Sequence, residues 1–321
     1  MARRCLLLVL LCCPAVPAAA QQVFESVGSR ALGMGGAFVA VADDATAPYW
    51  NPAGLATGAP AGLTIGWVGF RTGDQQGPVA AGPTRRTSTF TSLGAWPIGI
   101  SYGHATDTCL AQVGGSTQVV SLRTSQIGAS ILQTVVEGLV VGATLKYVRG
   151  TVAQGGAEGL TAGAALDRAG DSPGHTSGAF DLDLAAMIDV APVRLGLTVR
   201  NARQPTFADA AGHEASLSRQ IRAGAAYAPG PGLTLALDLD LHTVDLRNGP
   251  RRMLAVGGEK RLGTRVTVRG GLRWNLADDS GATPAVGGSI ATSRHMWLDL
   301  HYTRGGVLAD RGFGAALRAG F

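Results

Sequence analysis

Hydrophobic and polar residues alternate along most of this chain with a period of two, the spacing that gives a β-strand one apolar and one polar face. In residues 233–242 every odd position is Leu, and the even positions include Asp238, Asp240 and His242. The same alternation recurs in residues 180–190, 193–200 and 265–274. The pattern predicts strands that separate two different environments.

Fourteen segments carry this pattern, and most approach the length of about ten residues that a tilted strand needs to cross a membrane. They predict an all-β protein, a 14-stranded antiparallel transmembrane β-barrel. The expected spans are 61–71, 86–96, 98–106, 119–134, 139–150, 178–190, 193–202, 218–228, 233–244, 251–261, 264–275, 282–293, 295–304 and 311–321.

The connections between these segments alternate between short and long. The short ones are turns of a few residues, and the long ones cover 72–85, 107–118, 151–177, 203–217, 245–250, 276–281 and 305–310. Outer-membrane barrels have short periplasmic turns and longer outer loops. The rhythm therefore predicts that both ends of the barrel domain lie on the periplasmic side.

The start of the chain has the three parts of a secretory signal peptide. A basic pair, Arg3 and Arg4, precedes an apolar stretch and a small-residue cleavage site that ends at Ala20. Residues 1–20 are therefore expected to be removed. Beyond them no apolar run reaches the length of about 18 residues typical of a transmembrane helix.

Composition leaves two classes of exported protein open, a secreted soluble β protein and an outer-membrane barrel. Hydrophobic residues make up 46% of the chain, charged residues only 15%, and 47 residues are Gly. The number and length of the strands favour the barrel. The basic residues are scattered rather than gathered with aromatic residues, which argues against a nucleic-acid partner.

A Gly-rich apolar run, an Asp-Asp step and an Asn-Pro-Ala-Gly turn follow one another in residues 29–55, SRALGMGGAFVAVADDATAPYWNPAGL. This stretch resembles the N-terminal signature of the PorV/PorQ-type outer-membrane proteins, within the larger superfamily of FadL-like fatty-acid transporters. Plasmid-encoded TraF-like barrels are a further relation.

The resemblance implies that residues 21–58 form a plug inside a barrel made of residues 59–321. The glycines permit close approach and positive φ, and the turn is either a gate or a folding clamp that seals the barrel. We expect the carboxylates and the Asn side chain to lie among lumen arginines. The expected plug or gate residues are Gly33, Gly35, Gly36, Asp43, Asp44, Asn51, Pro52 and Ala53.

The polar faces of the predicted strands carry acids and bases that would meet in the lumen, where each ion can find a partner. The expected network includes Asp181, Asp183, Arg194, Arg200, Asp238, Asp240, His242, Arg265, Arg269, Arg273, Asp299 and His301. Such Asp and His residues can serve hydrolytic enzymes, but no Gly-x-Ser-x-Gly elbow is present and no His residues have metal-ligand spacing. The sequence thus predicts neither an enzyme nor a metal or cofactor site.

Two further features complete the sequence pattern. The last residue, Phe321, ends an alternating strand and resembles the signal that the barrel assembly machinery reads. The longest loop, 151–177, has an Ala- and Leu-rich middle, and residues 159–168 are expected to form a short helix over the mouth.

The sequence leaves two functions of different classes open. One is passive uptake of small hydrophobic molecules across the outer membrane, past the plug or sideways through the wall. The other is a docking role in a protein secretion system, in which the outer loops hold a secreted protein. The expected partners are accordingly outer-membrane lipid, the assembly machinery, and either a hydrophobic small molecule or a secreted protein.

Overall fold

Strand pairing closes the chain into a ring, because the first barrel strand pairs with the last and Gly62 faces Gly320. The structure, a computed structural model, describes residues 23–77, 79, 82–113, 116–209, 212, 214–246, 249–278, 281–305 and 311–321. All neighbours in the ring are antiparallel. The predicted 14-stranded antiparallel barrel is confirmed. The predicted signal peptide, residues 1–20, lies outside the described residues.

Each predicted segment overlaps one barrel strand. The barrel strands are β1 (Ala61–Thr72), β2 (Thr84–Ala95), β3 (Ile98–Val113), β4 (Ser116–Val136), β5 (Leu139–Gly156), β6 (His175–Val190), β7 (Val193–Arg200), β10 (Gln220–Gly230), β11 (Leu233–Asp240), β14 (Met253–Leu262), β15 (Val266–Asn275), β16 (Ala282–Ala291), β17 (Met296–Arg304) and β18 (Arg311–Gly320). Two small hairpins stand outside the ring. They are β8 (Thr206–Ala208) with β9 (Glu214–Ser216), and β12 (Val244–Leu246) with β13 (Gly249–Arg251).

The helices are short. They are α1 (Ser29–Gly33), α2 (Ala47–Trp50), a 3₁₀ helix (Pro52–Thr57) and α3 (Ala162–Asp171). Within the described part of the chain, none of them has the length and apolar character to cross a membrane.

The two faces of the wall differ as the alternation predicts. On β11, Leu235 and Leu237 are 48% and 44% exposed, whereas the next residue, Asp238, is 1% exposed. Large apolar side chains point outward on the other strands too, as Ile131 and Phe180 show. A barrel with an apolar outside and a polar inside is suited to a lipid environment and not to bulk water.

The prediction that residues 107–118 form a loop is wrong, because β3 and β4 continue through most of this range. These two strands and β5 are among the longest of the barrel, and we call residues 107–113, 116–123 and 148–156 the strand extension. Here both faces of the strands are covered, so consecutive residues such as Cys109 and Leu110, or Val119 and Val120, are all buried. Burial on both faces removes the apolar and polar alternation by which the other strands were recognised.

The strand extension lies between two small elements. The β8–β9 hairpin covers one face, where Phe207 packs on Gly150 and joins Leu122 in an apolar cluster. Helix α3 covers the opposite face with residues spaced three and four apart, namely Ala162, Ala165, Leu166 and Ala169. The predicted helix of residues 159–168 is therefore present, displaced by a few residues, and it lies against the outward face of the extension.

The N-terminal segment, residues 23–58, lies inside the ring. It forms hydrogen bonds or ion pairs with β2, β6, β10, β11 and β14, which lie on different sides of the barrel. Most of its residues are buried, and Leu32, Phe38 and Trp50 are 0% exposed. Several wall glycines make room for it: a Cβ at Gly257 would stand 2.1 Å from the Met34 carbonyl oxygen.

Substitution of Gly271 tests this packing. A Cβ at Gly271 would stand 2.3 Å from the Met34 carbonyl carbon, whereas at the adjacent Gly270 it would meet nothing within 4 Å. We expect Gly271→Ala to destabilise the docked segment by about 1–3 kcal/mol, the usual cost of overpacking. Gly270→Ala should change the free energy of unfolding by less than about 0.5 kcal/mol.

The measurement is limited proteolysis of the N-terminal segment together with thermal unfolding of the purified barrel. Faster cleavage in Gly271→Ala alone is the expected outcome. Equal behaviour of the two variants would contradict the contact between Met34 and the wall.

Candidate functional site: the N-terminal segment and the charges of the barrel wall

Aromatic side chains of the N-terminal segment fill the middle of the lumen. Trp50 lies 5.1 Å from Phe24 and 5.7 Å from Phe38 between ring centroids, and Tyr49 lies 5.7 Å from Phe90 of β2. The Trp50 indole N–H donates to a backbone carbonyl at 3.0 Å, and the Tyr49 hydroxyl donates to another at 2.9 Å. Burial raises the pKa of the Tyr49 hydroxyl, which therefore stays protonated. These rings form an aromatic layer across the barrel.

Arg30 ties the segment to the wall at the end of the barrel that carries the short turns. Its guanidinium pairs with Asp43, with Asp44 at 3.0 Å, and with Glu259 of β14 at 2.5 Å. Burial opposes the charge, but Asp43 and Glu259 hold the pKa of Arg30 well above its ordinary value. Burial alone would raise the pKa of Asp44, but Arg30 and Arg318 outweigh it and hold this pKa below its ordinary value.

The direct partner of both aspartates is thus Arg30 of the same segment, and not an arginine of the wall as expected. Arg30 in turn connects the segment to the wall, because it forms an ion pair with Glu259 of β14. Sequence reasoning missed Arg30 and Glu259, although Arg30 stands inside the Gly-rich motif. The segment's short helix α1 places Arg30 opposite the Asp-Asp step.

The ion pairs continue along the wall from Glu259. Arg269 of β15 donates to Glu259 at 2.8 Å and to Ser289 at 2.5 Å, and it lies 3.5 Å from Asp299 of β17. Asp299 accepts in turn from Arg318 of β18 at 3.1 Å. The expected residues Arg269 and Asp299 therefore lie in one chain of charges with Arg30.

Glu25 makes the corresponding connection at the end that carries the long loops. It pairs with Arg222 of β10 at 2.6 Å and with Arg251, and Arg222 also pairs with Asp240 of β11 at 2.7 Å. Glu25 and Arg222 are 2% and 1% exposed. Burial would raise the pKa of Glu25, but Arg222 and Arg251 hold it well below its ordinary value. Glu25 was not recognised from the sequence, because it precedes the motif.

Asp238 holds the segment by a different kind of bond. One of its carboxylate oxygens accepts from the backbone N–H groups of Phe38 and Val39, each at 2.9 Å. These two groups stand at the centre of the segment, where the backbone has left helix α1. A wall carboxylate therefore replaces the backbone partner that these donors lack.

A third charge cluster lies on β5, β6 and β7. Lys146 contacts Asp181 at 3.0 Å and Asp183 at 2.7 Å, and all three are buried. Arg200 lies 3.9 Å from Asp183 and places its guanidinium 3.6 Å from the ring centroid of Tyr49. Stacking on an aromatic ring stabilises a cation in a desolvated position. Lys146 was missed, although its parity on β5 predicts an inward side chain.

The glycines and the Asn-Pro-Ala turn are structural contacts of the segment. Gly35 and Gly36 have φ of 70° and 92°, and Gly33 lies against Gly287 of β16. Asn51 donates to the Val39 carbonyl at 2.9 Å and to a β6 carbonyl at 3.2 Å, and accepts from Ala53 N–H at 3.1 Å.

Asn51 therefore binds backbone groups, and the expectation that it lies among arginines is wrong. Pro52 begins the 3₁₀ helix, and Ala53 packs against Gly142 of β5.

Some expected lumen residues lie elsewhere. Arg265 is exposed in the turn before β15, because the strand begins one residue later. His242 lies beyond the end of β11 and contacts the Arg219 carbonyl at 3.0 Å. Arg194 pairs with Asp189 at 2.9 Å beside the short turn that joins β6 and β7. Arg265 and His242 were assigned from parity, which fails where a strand ends, whereas Arg194 keeps the inward parity of β7.

His301 and Arg273 do face inward. His301 is 2% exposed and lies 6.4 Å from Phe70 between ring centroids. Arg273 places its guanidinium 5.7 Å from the Phe70 ring centroid, on the side of the long loops. In the described part of the chain no three His, Cys, Asp or Glu side chains are grouped as a metal site.

Two cavities flank the aromatic layer. The one at the short-turn end has a volume of about 660 Å³ and is lined by Arg30, Asp44, Glu259 and the last residues of β18. The one at the long-loop end has about 150 Å³ and is lined by Glu25, Phe70, Arg251 and Arg273 among others. The segment thus separates two polar spaces by an apolar layer.

The chain is similar to known proteins in part of its sequence and in its fold. The model of a family described as "F plasmid transfer operon, TraF, protein" matches residues 89–240, just under half of the 321-residue chain. A search of the curated proteins finds no match.

Solved structures are similar over nearly the whole chain. The CymD monoaromatic hydrocarbon channel matches with a TM-score of 0.61 and 16% identity, covering 92% of this chain and 98% of that one. The Pseudomonas putida toluene transporter TodX matches with a TM-score of 0.59 and 12% identity, covering 95% of this chain and 98% of that one. A Pseudomonas aeruginosa FadL homologue matches with a TM-score of 0.59 and 12% identity, covering 94% of this chain and 99% of that one. At these identities the likeness shows that the chain has the fold of these barrels.

Substitution of Glu25 tests the long-loop cluster. Glu25→Gln leaves Arg222 and Arg251 without their shared counter-ion, and breaking one side of a buried pair costs about 3–5 kcal/mol. We expect the N-terminal segment of this variant to become accessible to protease. Glu158→Gln, at an exposed loop residue, is the matched control and should leave protection unchanged.

The same variant has a pH signature. Because the pKa of Glu25 is lower in the folded chain, its stabilisation is complete above its unfolded value of about 4.5 and is lost as the pH falls below that value. Wild-type protection should therefore decline in acid, and Glu25→Gln should decline less steeply. An identical acid profile would show that Glu25 does not anchor the segment through its charge.

Proposed function

We propose that this protein is an outer-membrane barrel for passive transport of small hydrophobic molecules, with the N-terminal segment as a plug that controls the lumen. The observation that carries the proposal is a lumen filled by a segment of the same chain that only non-covalent contacts hold against the wall. A cavity lies on each side of this segment. The similar barrels whose titles name a hydrocarbon channel and a toluene transporter support the class of solute.

The charged wall does not by itself oppose an apolar solute. The ions at both ends have partners in the segment, and between them Met34, Phe38 and Met187 belong to one buried apolar cluster. A small displacement of this cluster from the wall would open an apolar seam. A small recess of about 10 Å³ at the long-loop end is lined by Val23, Phe24, Leu246 and neighbouring polar groups, and it would have to widen before a solute could enter.

A second candidate is a docking barrel of a protein secretion system, in keeping with the PorV/PorQ resemblance of residues 29–55. The folded strand extension favours it, because two apolar clusters fix α3 and the β8–β9 hairpin in place. A fixed outer surface suits a partner protein better than a mobile loop does. The finer relation to PorV/PorQ-type barrels stays a prediction.

Membrane location is tested by fractionation and by substitutions on the two faces of the wall. The chain should be recovered with the outer membrane and migrate differently on gels when heated. Leu237→Arg, on the outward face of β11, should cost about 2–4 kcal/mol of barrel stability. Thr267→Arg, which points into the polar cavity at the short-turn end, should cost less. Equal costs, or recovery as a soluble protein, would rule out the membrane barrel.

The aspartate pair distinguishes transport from docking. Asp43→Ala with Asp44→Ala removes two of the three carboxylates that face Arg30, so the positive charges of Arg30, Arg269 and Arg318 should loosen the plug. In a transporter, leak of small solutes in liposome swelling assays should rise several-fold while the barrel stays folded.

A docking barrel should keep a low leak and lose its partner instead. Asp245→Ala, at an exposed position of β12, is the control and should behave as wild type. A double variant that neither leaks, misfolds nor loses a partner would show that the segment has no gating role.

A further inference from the structure

Four arginines form a row on the outside of the barrel at its long-loop end. Strand register pairs Arg304 of β17 with Arg311 of β18, Arg311 with Arg71 of β1, and Arg71 with Arg85 of β2. All four have the parity of the outward side chains on their strands, such as Ile65 and Leu317. We call these residues the arginine row.

The row stands directly above aromatic side chains. The next outward positions toward the short turns are Tyr302 and Phe313, which face each other across β17 and β18, and Gly69. The Trp67 ring lies over Gly69 and has its centroid 6.2 Å from that of Phe313. Below them the outward face is apolar. This order of apolar, aromatic and charged positions matches the depth profile of a membrane interface.

Arginines side by side on adjacent strands repel one another. Neighbouring strands lie about 4.8 Å apart, and like charges directly opposite are destabilising. Only Arg85 has an acidic partner among the described side chains, because it pairs with Asp167 of α3. The described residues offer no carboxylate to Arg71, Arg304 or Arg311 within ion-pair distance. Within the described part of the chain these three arginines lack a neutralising ion pair, which suits them to bind an external anion.

We propose that the arginine row binds the phosphate groups of an anionic glycolipid in the leaflet that surrounds the long-loop end. Guanidinium groups bind phosphate with paired hydrogen bonds. Arg71, Arg304 and Arg311, which have no carboxylate partner among the described residues, cover about 10 Å across adjacent strands, so the row can contact more than one phosphate of the same lipid. The acyl chains would then lie along the apolar wall beneath Tyr302 and Phe313. The inference rests on the proposed membrane location and is independent of what passes through the lumen.

The test is native mass spectrometry of the detergent-solubilised full chain with bisphosphorylated lipid A as the probe. Wild type should retain it, whereas dephosphorylated lipid A and millimolar inorganic phosphate should neither bind detectably nor compete. Arg71→Gln with Arg311→Gln should weaken binding roughly tenfold or more, since each arginine near a lipid surface adds a comparable attraction. Arg265→Gln with Arg294→Gln, at exposed positions in the short turns, is the matched control and should bind as wild type.

Heat-modifiable gel migration shows whether each variant has folded, and Arg304→Gln alone serves if the double variant fails to fold. Unchanged binding in the folded variants, equal binding of dephosphorylated lipid A, or displacement by inorganic phosphate would overturn the proposal. Retention of an acidic soluble protein in place of the lipid would overturn it as well. Solute leak, measured separately in liposomes, reports on transport, so failure of the lipid site and failure of the transport role are distinguishable.

Discussion

Buried ion pairs between the N-terminal segment and the wall are the constraint on which the rest of the structure depends. Charges inside a barrel have little water, so each needs a partner within reach. Glu25 supplies one at the long-loop end through Arg222, and Arg30 supplies one at the short-turn end through Glu259. Removal of the segment would leave Arg222 and Glu259 with one ion-pair partner each, Asp240 and Arg269, instead of two. The barrel and the segment therefore stabilise one another and are best regarded as one folding unit.

The charges can hold the segment only because the wall lets its backbone come close. Gly257 and Gly271 lie against Met34, and Gly142 lies against the 3₁₀ helix. A side chain at these positions would push the segment away from Asp238, whose bonds to backbone N–H groups need short distances. Glycine on the inner face thus has a role in electrostatics as well as in packing.

The sequence predicts the barrel well and the site incompletely, for one physical reason. Strands with an apolar outer face and a polar inner face show the alternation along much of their length, so all fourteen were recognised. The alternation disappears where both faces are covered, as at Val119 and Val120, and it misleads where a strand ends, as at Arg265. Partners such as Arg30 with Glu259, 229 residues apart, depend on how the segment folds back, which no local pattern records.

The two faces of the wall meet the same electrostatic requirement by different means. Inside, arginines alternate with carboxylates from other strands or from the segment, so the protein neutralises itself. Outside, Arg71 and Arg311 stand opposite each other without a described carboxylate between them. Repulsion between these outer arginines would lower the stability of the fold, whereas the inner ion pairs raise it. The inner network is thus neutralised by residues of this chain, whereas the arginine row, as far as the described residues show, would need anions from its surroundings.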